Sequence, residues 1–456
     1  MISETSVSEP LGAASGGGAF GFAWSEPKSG PRKWLFAQRG WLGLAGVILT
    51  GMVIALSAAG TDVLLPESVR PVPRWLAGVF GRHGVDLGLG GLIAVLGVMF
   101  VSYAVAVRAA HQLSARAVLI GVVALYALLF LAPPLLSTDV FSYMAYGRIG
   151  ALYGANPYLH GPSAIALDPS YPFIPARWVT TPTSYGPLFT ALSYLLAPLG
   201  IAWNVLAYKA IAAMSSLVIV VVVWNAARLR GLNAVKAVAV VGLNPVIVVF
   251  AVGGGHNDLL MLAILLTGVY VLLRQKERTS GALIVAASAV KLTAGLVLPF
   301  ALAQSGSRRE GRRGRRAVLT GVGLAVGVAG VFSFAAFGTG PLHLLDTLPD
   351  IQNHGGSNSI PGLLLALLGL QALSGAVGLM LDAGFVICLV WLVRRVWMGE
   401  LDWITGAGWA TVALLITAGS LVPWYVGWLV PLAALSNDRR LLATAIGMTG
   451  LGLTTL

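Results

Sequence analysis

Residues 281–303 read GALIVAASAVKLTAGLVLPFALA, an apolar stretch long enough to cross a bilayer, with Lys291 near its middle. On one side stand Arg274, Lys276 and Arg278, and on the other the run RREGRRGRR occupies 308–316. Basic clusters bordering membrane segments stay in the cytoplasm, so a single span cannot join these two. The stretch is therefore expected to be a re-entrant pair of half-helices that turns near Lys291. Non-helical backbone at membrane depth survives only where protein or a water-filled cavity covers it. Such a turn implies a helical bundle built around a covered polar site.

The remainder of the chain agrees. It has 456 residues, is 57% hydrophobic and only 10% charged, and has a mean hydropathy of +0.84. So little charge cannot cover a soluble surface of this size, and the class is an all-α polytopic membrane protein. We expect about eleven to thirteen transmembrane helices at ~20 residues each. The clearest lie near 41–60, 87–107, 117–135, 205–227, 235–251, 257–273, 317–337, 374–393 and 404–421, with shorter spans at 424–436 and 441–456. The net charge of +12 could suggest nucleic acid. Most of the basic residues, however, fall into one alternating set of loops, so the charge is topological and excludes a nucleic-acid partner. Putting those loops in the cytoplasm places the N-terminus there too. Residues 1–35, rich in Ser, Gly, Ala and Glu, are expected to be a disordered cytoplasmic tail, and 36–456 a single domain. The one cysteine, Cys388, rules out a disulfide framework within the chain.

The same topology sends 136–204 outside as the main loop, with GPLFTALSYLLAPL at 186–199 as a helix along the membrane surface. Three further polar segments face the same way: VGGGHND at 252–258, the loop 337–362, and SLVPWYVGW at 420–428. The chemistry should lie where they converge. Asp139 suits a general base at the membrane boundary, although an acid there also suits a helix cap. Asn257 and Asp258 carry the same ambiguity after three glycines; His256 beside Asp258 would permit a divalent cation, but two neighbours are not a ligand set. Lys291, an ammonium in an apolar region, is a candidate to hold a phosphate, unless it snorkels to the interface. Asp382 is expected to pair with a basic residue of a neighbouring helix. Trp424 and Tyr425 suit stacking on a sugar, or equally an interfacial aromatic belt.

The ordered set of segments TDVFSYMAYGR, YGPLFTALSYLLAPLG, the HND turn and ASAVKLTAGLVLPF resembles the GT-C glycosyltransferases, which use polyprenyl-phosphate-linked sugars. More narrowly, STDVFSYMAYGRIGALYGANPYLHGP, SYGPL, NPVIVVFAVGGGHNDLLML and VPWYVGWLVPL look like the actinobacterial mannosyltransferases that build the α-1,6-mannan core of lipomannan and lipoarabinomannan. The resemblance implies a bacterial plasma-membrane enzyme with an extracytoplasmic site. It would move mannose from polyprenyl-phosphate-mannose to the 6-hydroxyl of a lipid-linked mannan, with inversion. Asp139 would be the base. Lys291, Arg148 or Lys209 would meet the donor phosphate. Tyr143, Asn156, Tyr158, His160, Tyr185, His256, Asn257, Asp258, His354, Trp424 and Tyr425 would bind sugar or acceptor. No cofactor is implied beyond a candidate divalent cation at His256 and Asp258. A Thr precedes Asp139 where many GT-C members carry a second acid. A flippase or secondary transporter is the alternative class, but it should carry inverted repeats, and none is visible. An arabinose donor is the alternative chemistry.

Overall fold

The computed structural model describes residues 31–58, 64, 65, 69, 73–79, 81, 83–306, 311–344 and 359–455. Most of the expected tail lies outside these, and the first helix, α1 (Pro31–Ala58), already begins at Pro31. Then follow α2 (Gly88–Ala109), α3 (Ala115–Leu131), α4 (Asp139–Ala151), α5 (Pro187–Leu196) and α6 (Ile201–Leu229). The centre of the chain holds α7 (Ala234–Gly242), a π-helical segment (Val246–Val252), α8 (Asp258–Leu273), α9 (Glu277–Ser288), α10 (Leu298–Gly306) and α11 (Gly311–Phe337). The last helices are α12 (Ile360–Leu367), α13 (Ser374–Trp397), α14 (Trp403–Thr417), α15 (Val426–Leu435) and α16 (Arg439–Gly452). Among the described residues there are helices and turns but no strands.

Five of these helices are long and apolar enough to cross a membrane, or six if α7 and the π segment count as one bent span. Four other expected spans appear as apolar helices of 10–17 residues, α3, α8, α14 and the segment Pro423–Leu435, whereas α16, at the expected span 441–456, is not apolar enough to join them. The span windows of α11 and α13 are only 11% and 6% buried within the chain, so their apolar faces are left for lipid. Asp382 on α13 is exposed and belongs to no ion pair among the described residues, contrary to the pairing expected of it.

The core is the α7–π unit, which is apolar on every side and buried throughout from Ala237 to Val252. Its bend of 46° comes at Asn244–Pro245. Proline lacks the N–H that would continue α7. The Asn244 carboxamide repairs the break, its oxygen accepting from the N–H groups of Val246 and Ile247 at 3.0 and 3.3 Å. Its amide donates to the Tyr103 hydroxyl and to Thr449 Oγ1, joining α2 and α16 to the break. At the opposite end of α6 from α5, Arg230 forks onto Asp402 at 3.1 and 3.0 Å and ties α6 to the start of α14.

The 281–303 segment is a broken helix. After α9 the backbone is extended at Lys291 (φ −150°, ψ 123°) and continues as a 3-10 turn, Leu292–Val297, into α10. Two carbonyls at the break are taken by the start of α5: the Gly186 N–H donates to Val290 O at 3.0 Å and the Leu188 N–H to Ala289 O at 2.9 Å. The start of α5 thus supplies the donors that lipid cannot. Gly186 must be glycine, because a Cβ there would lie 2.2 Å from Ala289 O. We predict that Gly186→Ala destabilises the fold by about 1–3 kcal/mol, the range of overpacking. Thermal unfolding in detergent should fall for this variant and hold for Gly327→Ala, where a Cβ meets nothing within 4 Å. Equal melting of the two would contradict the account.

Candidate functional site

The chain enters α4 through a strained lead-in. Leu136 has φ +55°, left-handed backbone that costs a leucine roughly 1–2 kcal/mol. Neighbouring hydrogen bonds hold it: the Leu135 N–H donates to Gly253 O at 3.1 Å and the Leu136 N–H to Leu64 O at 2.9 Å. Such strain persists where surroundings over-determine it, and it sets the first turn of α4 against the 253–258 turn. The Asp139 carboxylate does not cap the helix. Its own N–H donates to Ser137 Oγ at 3.2 Å, and the residue at the cap, Thr138, makes no side-chain bond.

In the GGGHND turn, Gly255 has φ +68°, and a Cβ there would come within 2.9 Å of Val140 Cγ1. That close approach brings His256 Nδ1 to 3.3 Å from Asp139 Oδ2. The imidazole lies on Trp424, with ring centroids 3.9 Å apart. One turn along α4, the Tyr143 hydroxyl lies 3.5 Å from Asp139 Oδ2 and 3.3 Å from Asn257 Oδ1. Asp258 starts α8 but faces inward. Lys291 Nζ and Trp428 Nε1 both donate to its Oδ1 at 2.7 Å. The same ammonium sits 4.7 Å from the Tyr425 ring centre and 5.2 Å from that of Trp428, an aromatic cage for a cation.

Asp139 and Lys291 line one cavity of about 170 Å³, together with Tyr185, Trp424, Tyr425 and Arg177. His256, Asn257 and Asp258 are buried behind this lining. Burial pushes the Asp139 carboxyl upward. Hydrogen bonding and charge from His256, with the charge of Lys291, outweigh that and hold it below the ordinary carboxylate value.

The other sequence candidates lie elsewhere. Arg148 pairs with the buried Asp168, its Nε 2.9 Å from both carboxylate oxygens, and donates to Ala197 O at 3.1 Å; it braces the loop against the end of α5. Asn156 donates to Phe337 O at 2.7 Å and ties the loop to the end of α11. The buried Tyr158 donates to Tyr185 O at 3.0 Å and also meets Thr190 Oγ1. His160 is exposed outside the cavity lining, and His354 lies outside the described residues. Lys209 is buried with its ammonium on the carbonyls of Ala132 and Pro133 and lines a different cavity. Among the described residues no three of His, Cys, Asp or Glu gather as a metal cluster; His256 faces Asp139, whereas Asp258 faces Lys291.

One contributor was given no role in the sequence reading. Arg177 supplies a second cation to the cavity, its guanidinium 5.6 Å from the Trp178 ring. It sits in a short 3-10 turn of the long loop, where no periodicity points anywhere. Trp428, an aromatic residue of VPWYVGW that the sequence suits to sugar stacking, is 7% exposed and instead holds Asp258.

Comparison with known proteins gives this arrangement a family. Residues 40–305 match the model described as alpha-(1->6)-mannopyranosyltransferase, N-terminal domain, and residues 357–454 match the MptB C-terminal domain. The chain is 29% identical to alpha-(1->6)-mannopyranosyltransferase A of Mycobacterium tuberculosis, over 93% of this chain and 83% of that protein. It is 28% identical to alpha-(1->6)-mannopyranosyltransferase B of Corynebacterium glutamicum, over 68% of this chain and 57% of that one. A shorter match, 35% identical over 32% of this chain and 25% of the relative, is to alpha-(1->6)-mannopyranosyltransferase Rv1459c of Mycobacterium tuberculosis. No solved structure matches significantly. The first family match spans more than half of the residues, and the chain belongs to the alpha-(1->6)-mannopyranosyltransferase family.

Proposed function

We propose that this protein is an integral-membrane α-1,6-mannosyltransferase. It takes mannose from polyprenyl-phosphate-mannose and adds it, on the extracytoplasmic face, to the 6-hydroxyl of a lipid-linked mannan. The observation that carries the reading is that Asp139 and Lys291, an acid and a cation from distant parts of the chain, line one aromatic-walled cavity. Membership of the family supports the transfer of mannose. The order of motifs supports the lipid-linked donor, and the distribution of basic loops supports the orientation.

In this mechanism the acceptor 6-hydroxyl attacks the anomeric carbon while Asp139 takes its proton. The bond from that carbon to the phosphate oxygen breaks, and the phosphate leaves with the electron pair. A single in-line displacement inverts the β-linked donor to an α-linked product. Phosphate is a good leaving group, so one carboxylate replaces the acid–base pair of an inverting glycosidase. Lys291 and Arg177 balance the charge that grows on the departing phosphate. Tyr185, Trp424 and Tyr425 offer ring faces to the sugar. His256 orients Asp139, and Asp258 orients Lys291.

Transfer to a short α-1,6-mannoside by the purified protein tests this. Asp139→Asn and Asp139→Ala should each lower kcat by about 10²–10⁴, the usual contribution of a general base. Wild-type rates from both would sink the assignment. Lys291→Gln should cost on the order of 10² in kcat, and Lys291→Arg less, because charge is kept.

The pH profile gives an independent check. A base works only when ionised, so kcat/KM rises with pH through the Asp139 pKa and then levels off. Because Asp139 is held below the ordinary carboxylate value, the acid limb should fall below roughly pH 4, with no loss between 7 and 5 from this group. His256→Gln removes a positive partner, so the limb should move to higher pH; an unmoved limb would contradict the coupling.

A further inference from the structure

Lys209 is a buried cation that the proposed chemistry does not use. It is 2% exposed on α6, and its ammonium donates to the carbonyls of Ala132 and Pro133 just past the end of α3. An ammonium has three N–H donors and no acceptor, so two carbonyls leave one donor over. None of the ion pairs among the described residues includes Lys209. A buried charge without a counter-ion is costly, and an anionic ligand would relieve that cost.

The ammonium lines a groove of about 400 Å³, separate from the cavity at Asp139. Arg74 lines the same groove and is likewise outside every ion pair among the described residues. The remaining wall is apolar and open outward: Val79 is 74% exposed, Trp203 67% and Trp75 41%. This is the form of a lipid site, with cations at one end and a hydrophobic flank for a chain.

The groove backs onto the reaction cavity. The Lys209 stem packs by Gly255, next to His256, with Cγ 3.2 Å from where a Cβ on Gly255 would stand. Trp75 meets Phe173 edge-on with centroids 5.7 Å apart, and Phe173 stacks on Phe141 at 5.0 Å, two residues beyond Asp139.

We propose that this groove is a second lipid-phosphate site, which holds the carrier lipid by its phosphate on Lys209 and Arg74 with the prenyl chain along Trp75 and Trp203. The proposal rests on the polyprenyl-phosphate reading above. Once mannose has gone, the carrier ends in a phosphate monoester of up to two negative charges, and the groove presents two basic side chains. A phospholipid phosphodiester carries one negative charge at its phosphate and matches less well. The groove would then receive spent carrier without occupying the cavity at Asp139.

The test uses the full chain in phosphatidylcholine nanodiscs with farnesyl phosphate as probe and titration calorimetry as readout. Lys291→Gln disables the phosphate cation of the reaction cavity, and a saturable farnesyl-phosphate site should remain. Adding Arg74→Gln, an exposed change that spares the core, should weaken that site roughly tenfold or more, the worth of one charge-assisted hydrogen bond. Lys209→Met should do the same where it folds. Farnesol should not compete. Loss of all saturable binding in Lys291→Gln that unfolds thermally as the wild type does, or unchanged affinity after Arg74→Gln in either the Lys291→Gln or the wild-type background, overturns the proposal. Displacement of the probe by dioleoyl phosphatidylglycerol at equal concentration assigns the groove to bilayer lipid and overturns the carrier reading. Wild-type protein that binds the probe through Arg74 but does not turn over polyprenyl-phosphate-mannose sinks the donor reading and leaves the phosphate site standing.

Discussion

The contact between Lys291 and Asp258 organises this molecule. Lys291 stands where the 281–303 segment breaks, and Asp258 stands where α8 begins; 2.7 Å separates ammonium from carboxylate. Removing one partner of a buried pair leaves an uncompensated charge at a cost of about 3–5 kcal/mol. The pair is further satisfied by the Trp428 indole on the same oxygen and by two ring faces under the ammonium. It therefore fixes four elements together: the helix break at Lys291, α8, the Pro423–Tyr425 turn and α15.

From that pair outward, the site is assembled by breaks in helices. The Asn244–Pro245 bend starts the π segment that delivers the glycine turn. The positive φ of Leu136 delivers Asp139. The interruption at Lys291 exposes carbonyls that α5 must cover, so α5 is a structural requirement of the site. Each irregularity has its backbone groups satisfied by a neighbour, as burial in an apolar medium demands.

Much of this was readable in the chain. Composition and basic clusters gave the helical class, and the expected spans fall on helices from α1 to α16. The basic clusters flanking 281–303 led to the expectation of a break there, and the helix is interrupted at Lys291. Asp139, Lys291, Tyr185, Trp424 and Tyr425, chosen from motifs and family likeness, line one cavity. Other candidates separated on folding. Arg148 precedes Asp168 by twenty residues, and no periodic pattern announces that the two pair. Asn156 and Tyr158 spend their hydrogen bonds on holding the loop, and Lys209 turns toward a second groove. Arg177 enters the cavity from a turn without any motif.

The sequence by itself determined the all-helical class and where the apolar helices run. Those follow from hydropathy and charge, which act on every residue locally and can be read in order. Only the tertiary structure decided partners. Whether an acid caps a helix, grips a lysine or faces a cavity depends on a few ångströms between residues more than a hundred positions apart, such as Asp139 and His256 or Asp258 and Trp428. Distances of that kind come from how helices pack and where they break, and no local pattern encodes them.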